Sequence, residues 1–264
     1  MYAIRKKVAE MMKEKQNIKI RNVELGAGIP KICVSITGKT VEEILIQAEE
    51  IKRNPVDIVE WRVDFFEDVF DTEVIVTAMQ QLVNVLEERP VLFTFRRKVE
   101  GGEKDISLEA YKALNLQVIE SGLADLVDVE LFAGDELVSE VIEAAHKKGI
   151  KVVISNHDFV KTPEREEILV RLKKMQELGG DLPKIAVMPQ NQKDVITLLS
   201  ATEEFNRECA NRPFITISMS KLGLVSRLAG GVFGSAMTFG AVGEASAPGQ
   251  IAAEKLREIL ESLI

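Results

Sequence analysis

KVVISNHDFVKTPEREEILVRLKKMQELGGDLPKIAVMP, residues 151–189, holds one pattern and the start of its repeat. An apolar, β-branched run (151–157) reads as a strand. Apolar residues then recur at helical spacing over about 163–178. Pro163 after Thr162 suits a first helical turn, and Gly179-Gly180 closes the helix. A second apolar run, 184–189, follows at once. Both runs are continuously apolar rather than alternating, as strands of a parallel sheet covered on both faces should be.

The same unit extends in both directions. Strands are expected at 31–37, 56–65, 90–96, 125–131, 151–157, 184–189, 214–220 and 234–240. Helices are expected near 40–53, 72–88, 107–121, 135–148, 163–178, 191–207, 221–230 and 249–262. Eight strand–helix units in roughly 250 residues predict an α/β fold, a (β/α)8 TIM barrel. A doubly wound open sheet is the alternative, but no G-x-G-x-x-G follows the first strand. NIKIRNVEL (17–25) suits a short hairpin under the barrel. The expected division is therefore a helical extension over 1–16, with Ile4, Val8, Met11 and Met12 at helical spacing, and one catalytic domain over 17–264.

Composition narrows the function. The 264 residues are 46% hydrophobic and 29% charged, with a net charge of −8. An acidic chain of this kind is a poor non-specific nucleic-acid binder, since such binding needs clustered Lys and Arg. No apolar run reaches the length of a membrane span. Cys33 and Cys209 are far apart and read as two reduced structural thiols. The two histidines are not at metal-ligand spacing, so no metal is expected.

A barrel carries its chemistry where strands end. Those ends hold Glu60, Arg62 and Asp64; Arg96 and Glu100; Asp128 and Glu130; His157; Ser218, Met219 and Lys221, with Arg227 beyond; and Ser246 and Gln250 around a Pro-Gly turn. His146, in the last turn of a helix, reads as a solvated dipole partner without a role. His157 reads equally as a strand end or an acid/base. Lys184, in an apolar strand, is either a snorkelling side chain or an amine kept neutral by burial and nearby cations, hence a carbonyl nucleophile. The charges at one mouth suggest an anionic, hydroxylated ligand. LAGGVFG (228–234) is a weak match to a phosphate loop and suits close packing better.

EWRVDFF (60–66), FTFRRKVEGG (93–102), SNHDF (155–159), PKIAVMPQ (183–190), ISMSKLGLVSRLAGGVFGSAMTFG (217–240) and ASAPGQ (245–250) occur in that order. Together they resemble type I 3-dehydroquinate dehydratase, from about residue 18 to the C-terminus. The resemblance implies a cytoplasmic homodimer that needs no cofactor and binds neither nucleic acid nor membrane. It implies syn elimination of water from 3-dehydroquinate through a lysine Schiff base. By motif, Lys184 is similar to the Schiff-base lysine, His157 to the general acid/base, and Glu100 to the group that orients it. Arg227 resembles the carboxylate clamp. Glu60, Arg62, Arg96, Ser246, Gln250, Ser35 and Met219 resemble substrate-binding positions. FRRK leaves open which of Arg96, Arg97 and Lys98 faces the substrate, and GEASAPGQ (243–250) suits a lid. Two other readings compete: an aldolase acting on a sugar phosphate, and a silent barrel that senses a related metabolite.

Overall fold

The computed structural model describes residues 15–243, 247 and 249–263. The extension expected over 1–16 thus lies almost wholly outside the described residues. The chain opens with an antiparallel hairpin of β1 (Ile18–Ile20) and β2 (Val23–Leu25). Eight strands follow: β3 (Lys31–Ile36), β4 (Ile58–Arg62), β5 (Val91–Thr94), β6 (Leu126–Glu130), β7 (Lys151–Asp158), β8 (Leu182–Val187), β9 (Ile215–Ser218) and β10 (Met237–Gly240). A helix follows each: α1 (Val41–Lys52), α2 (Thr72–Leu86), α3 (Leu108–Ser121), α4 (Asp135–Lys147), α5 (Arg165–Glu177), α6 (Gln192–Glu204), α7 (Leu224–Ala229) and α8 (Ala253–Ser262).

The large sheet runs β10-β3-β4-β5-β6-β7-β8-β9, parallel throughout. Across the remaining seam Ala236 N donates to Phe214 O at 2.8 Å. The expected barrel is the one observed. The elements begin and end where local chemistry says. Thr40, Asp71, Ser107 and Asn191 cap α1, α2, α3 and α6 with side-chain oxygens on the first-turn N–H groups. The expected elements run long at several ends. The strand expected at 214–220 stops at Ser218, and the last helix starts at Ala253 rather than 249. The residues released are those that turn over the barrel mouth.

Side-chain alternation sorts the strands into two cores. Val34, Ile36, Trp61, Phe93, Phe95, Val127 and Ile154 face outward and pack with the helices. Cys33, Ile58, Leu92, Leu126, Val153, Leu182, Ile215 and Met237 face inward, where Ile18, Ile20, Val23 and Leu25 of the hairpin join them. The hairpin is an apolar plug that closes the barrel from below. Its two-residue turn places Arg21 at φ 51°, a left-handed conformation suited to a tight hairpin.

Below the plug's rim, three carboxylates tie strands together. Asp57, Asp125 and Asp181 each precede a strand and accept the N–H of Ile32, Val91 and Val152 at 2.7, 2.9 and 2.9 Å. Each also meets a cation: Arg257 at 2.6 Å, Arg21 at 2.7 Å, and Lys151 at 3.2 Å. His146 belongs to this ring. Its Nε2 lies 2.7 Å from Asp181 Oδ2, so it has a structural partner that its helix position does not reveal. The glycines of 228–234 serve packing: a Cβ on Gly231 would lie 2.3 Å from Pro30 Cγ.

Candidate active site

Above the apolar inward layer lies a polar one. It comprises Ser35, Glu60, Thr94, Asp128, Ser155 and Lys184, all on the inward face two residues beyond the apolar set. A cavity of about 200 Å³ opens on this layer at the C-terminal ends of the strands. Ser35, Glu60, Arg62, Arg96 and Glu100 line one side; His157, Lys184, Met219, Arg227 and Gln250 line the other. The structure therefore brings together ten of the eleven side chains that the motifs mark as site positions. Ser246 lies outside the described residues, as does half of the expected lid.

Lys184 is 3% exposed, its ammonium group 4.5 Å from the centre of the Phe239 ring. The sequence reading puts cations beside it. The ion pairs are instead with carboxylates, Glu60 Oε1 at 3.6 Å and Asp128 Oδ2 at 3.9 Å.

These two carboxylates differ in setting. Glu60 accepts from Ser35 Oγ at 2.5 Å and from Thr94 Oγ1 at 3.0 Å. Burial alone would raise its pKa, but Lys184 and Arg62, with the Ser35 bond and Arg96, hold it at about 2. Asp128 Oδ1 accepts from Arg96 at 2.9 Å and Ser155 Oγ at 2.7 Å, whereas Oδ2 accepts no hydrogen bond. Burial prevails there, and the Asp128 carboxyl is pushed above the usual carboxylate range.

His157 continues β7 past Ser155, which pairs with Lys184 across the ladder. Its Nδ1 lies 3.1 Å from Glu100 Oε2, and its backbone N–H donates to the same oxygen at 2.8 Å. The tautomer with a proton on Nδ1 leaves Nε2 as the free base. Burial, then Arg96, Lys184 and Arg62, depress the imidazole pKa well below its ordinary value. Glu100 is raised to about 7 by burial and by Glu130, against the opposing pull of Arg96. It reaches His157 because Gly102 folds the turn back onto the segment that follows β5: a Cβ there would lie 1.8 Å from Arg96 O. Asn156 Nδ2 donates to Glu100 Oε1 at 3.3 Å, and Arg171 in turn holds Asn156 Oδ1 at 2.8 Å.

Of FRRK, Arg96 lines the cavity, with one guanidinium nitrogen on Glu130 Oε1 and Ser155 Oγ and the other on Asp128. Arg97 turns away to Glu130 Oε2 at 2.5 Å and stacks on the Tyr111 ring. Arg62 is held by both oxygens of buried Asp64 at 2.8 Å. Arg227, 3% exposed, reaches the opposite wall from α7, and burial lowers its pKa to about 10. Sequence reasoning passed over Phe65, Glu103, Phe159, Ala186, Ile217 and Phe239, which also line the cavity. Phe239 and Ile217 share the inward phase of their strands, which is the signal that would have found them.

A barrel mouth that combines a buried amine, a carboxylate-held imidazole and arginines on facing walls defines an enzyme for an anionic carbonyl compound. Comparison with known proteins makes the class specific. A family model described as type I 3-dehydroquinase matches residues 32–264, and the chain belongs to that family. The 3-dehydroquinate dehydratase of Clostridium botulinum is 55% identical over 94% of this chain and 98% of its own. A crystal structure of the type I enzyme from Clostridium difficile, with covalently modified comenic acid, superposes with a TM-score of 0.92 at 53% identity, covering 94% of this chain and 98% of that one. The enzyme from Geobacillus kaustophilus does so with 0.92 at 38% identity, covering 95% and 97%. The chain is thus a hydro-lyase that dehydrates 3-dehydroquinate in the shikimate pathway, by the Schiff-base chemistry characteristic of type I.

Proposed function

We propose that Lys184 forms the Schiff base and that His157 moves the protons of a syn elimination to 3-dehydroshikimate. The carrying observation is the placement of a 3% exposed lysine and a carboxylate-held histidine on adjacent inward strands of one cavity. A ketone acidifies its neighbouring C–H only weakly, and an iminium is a far better electron sink. His157 Nε2 takes the proton from the carbon next to the iminium, leaving an enamine. The enamine expels the β-hydroxyl, which takes that proton back from the imidazolium. One histidine serves both transfers because both lie on one face of the ring. Its depressed pKa suits the first step, and Glu100 stabilises the cation for the second.

Arg227 supplies a planar, two-pronged donor for the substrate carboxylate. Glu60, Arg62, Ser35 and Gln250 meet the ring hydroxyls, and Met219, 2% exposed, gives one apolar wall. Arg96, which also lines the cavity, joins this binding set while it holds Asp128, Glu130 and Ser155 in place. Ser246 joins the binding set on the strength of its motif. The covalently modified ligand in the Clostridium difficile structure supports an enzyme amenable to covalent capture. By family resemblance the protein is a cytoplasmic homodimer that needs no cofactor, with residues 1–16 an extension to the catalytic domain; sedimentation of the full chain tests the dimer.

Borohydride reduction in the presence of 3-dehydroquinate tests the assignment. The expected result is an intact-mass increase located on the peptide containing Lys184, and none in Lys184→Ala. Turnover by Lys184→Ala near that of the parent would overturn it.

A further inference from the structure

A lysine at neutral pH ordinarily carries a proton that must leave before its nitrogen attacks a carbonyl. The roles above give His157 the carbon and hydroxyl protons, and leave that one without an acceptor. Two carboxylates are within reach of Lys184 Nζ, Glu60 Oε1 at 3.6 Å and Asp128 Oδ2 at 3.9 Å. Both are buried, Glu60 at 3% and Asp128 at 0% exposure.

Their hydrogen bonds separate them. Both oxygens of Glu60 are occupied by hydroxyl donors, Ser35 on one and Thr94 on the other. A carboxylate so satisfied is a stabilised anion and a poor base. Asp128 has one oxygen fixed by Arg96 and Ser155, while Oδ2 lies 3.9 Å from Nζ and accepts no hydrogen bond. An anionic oxygen with no hydrogen bond in a dry interior is costly, and the cost disappears when it takes a proton. The charged and titratable groups facing Asp128 are Arg96 from the end of β5, Lys184 from β8 and Glu60 from β4. Tyr111 from α3 binds its backbone carbonyl at 3.4 Å.

The geometry points to Asp128 as the proton acceptor for Lys184, returning that proton to the oxygen that leaves as water during imine formation. This rests on the Schiff-base reading above. The ammonium gives one proton to Asp128 Oδ2. The amine lone pair forms the C–N bond while the C=O π electrons move to oxygen. A second nitrogen proton passes to that oxygen, giving the carbinolamine. Its hydroxyl takes the proton from Asp128 and departs as water as the nitrogen lone pair forms the C=N bond. One ammonium and one ketone become one iminium and one water, and Asp128 ends as the carboxylate beside the iminium. The difference in donors assigns exchange to Asp128 and a fixed negative charge to Glu60.

Asp128→Asn keeps the shape and the acceptor for Arg96 and Ser155 but removes the base. The test is rapid-quench borohydride trapping of 3-dehydroquinate on the parent and on this variant between pH 6 and pH 9. Trapping in the variant should slow by about 100-fold or more at pH 7. It should also rise steeply with pH, because hydroxide must then deprotonate the lysine, whereas the parent profile stays flatter. An equal slowing at every pH would mean structural support only and would overturn the proposal, as would an unchanged rate. If the variant does not fold, infrared difference spectra of the parent carry the test. A protonated-carboxyl C=O band should grow ahead of the imine, and its absence would overturn the proposal. Failure of the parent to trap any adduct would instead refute the Schiff-base reading itself.

Discussion

Replacing Glu100 by Gln should make the protein more stable at pH 8 and less active. Glu100 is 5% exposed, and its pKa rises from an ordinary 4.5 to about 7. Between those values the folded chain binds more protons than the unfolded one, so this carboxyl makes stability fall as pH rises. Below about 4.5 it costs nothing; above about 7 it costs the fold about 3 kcal/mol. Gln removes that cost. It also brings an amide NH2 towards the Asn156 Nδ2 donor, losing a hydrogen bond worth about 1 kcal/mol. The net gain at pH 8 is then about 2 kcal/mol, or a rise in Tm of about 4–8 °C. At pH 4.5 only the loss remains, and the sign reverses. The assay is denaturant unfolding of both proteins at pH 4.5, 6 and 8, with turnover measured alongside. Turnover should fall by about 10-fold or more, since the imidazolium loses its countercharge. A variant destabilised equally at pH 4.5 and pH 8 would refute the reasoning. The carboxylate that holds His157 would then be no burden on the fold.

Four further outcomes follow from the geometry. His157→Ala should still trap a borohydride adduct while turnover falls by about 10²–10⁴-fold, and full activity would remove its role. In the parent, the His157 ring signals should remain those of a neutral imidazole at pH 6.5, because burial and three cations depress its pKa; a midpoint near 6.5 would contradict this. Arg227→Lys should raise KM by about 10-fold or more, since a point charge cannot replace a two-pronged donor; unchanged KM would place the substrate carboxylate elsewhere. Leu25→Ala, at a fully buried site in the hairpin plug, should cost about 3 kcal/mol of stability in denaturant unfolding with KM unaltered.

Much of this architecture is legible in the chain. Alternation of β-branched runs with amphipathic stretches places all eight strands, because a strand covered on both sides must be apolar throughout. The hairpin is legible for a related reason: IKI and VEL each alternate, with Ile18, Ile20, Val23 and Leu25 on the buried side. Ten of the candidate residues converge because barrel strands present their ends to one mouth. His146 is the counterexample. Its partner, Asp181, comes from the loop before β8, a contact between units that periodicity cannot display.

By itself the sequence determined the repeat, the polar residues inserted into apolar strands, and the order of motifs that marks the family. Only the tertiary structure decided what each charge faces. Lys184 lies beside carboxylates rather than arginines, Arg97 turns to Glu130 while Arg96 lines the cavity, and Glu60 and Asp128 have opposite surroundings. Period-two alternation says only that a side chain points inward. Its partners come from strands 30 to 60 residues away, in a register set by closure of the whole barrel. The behaviour of a buried charge depends on the donors and charges around it, so that part of the chemistry exists only once the barrel has formed.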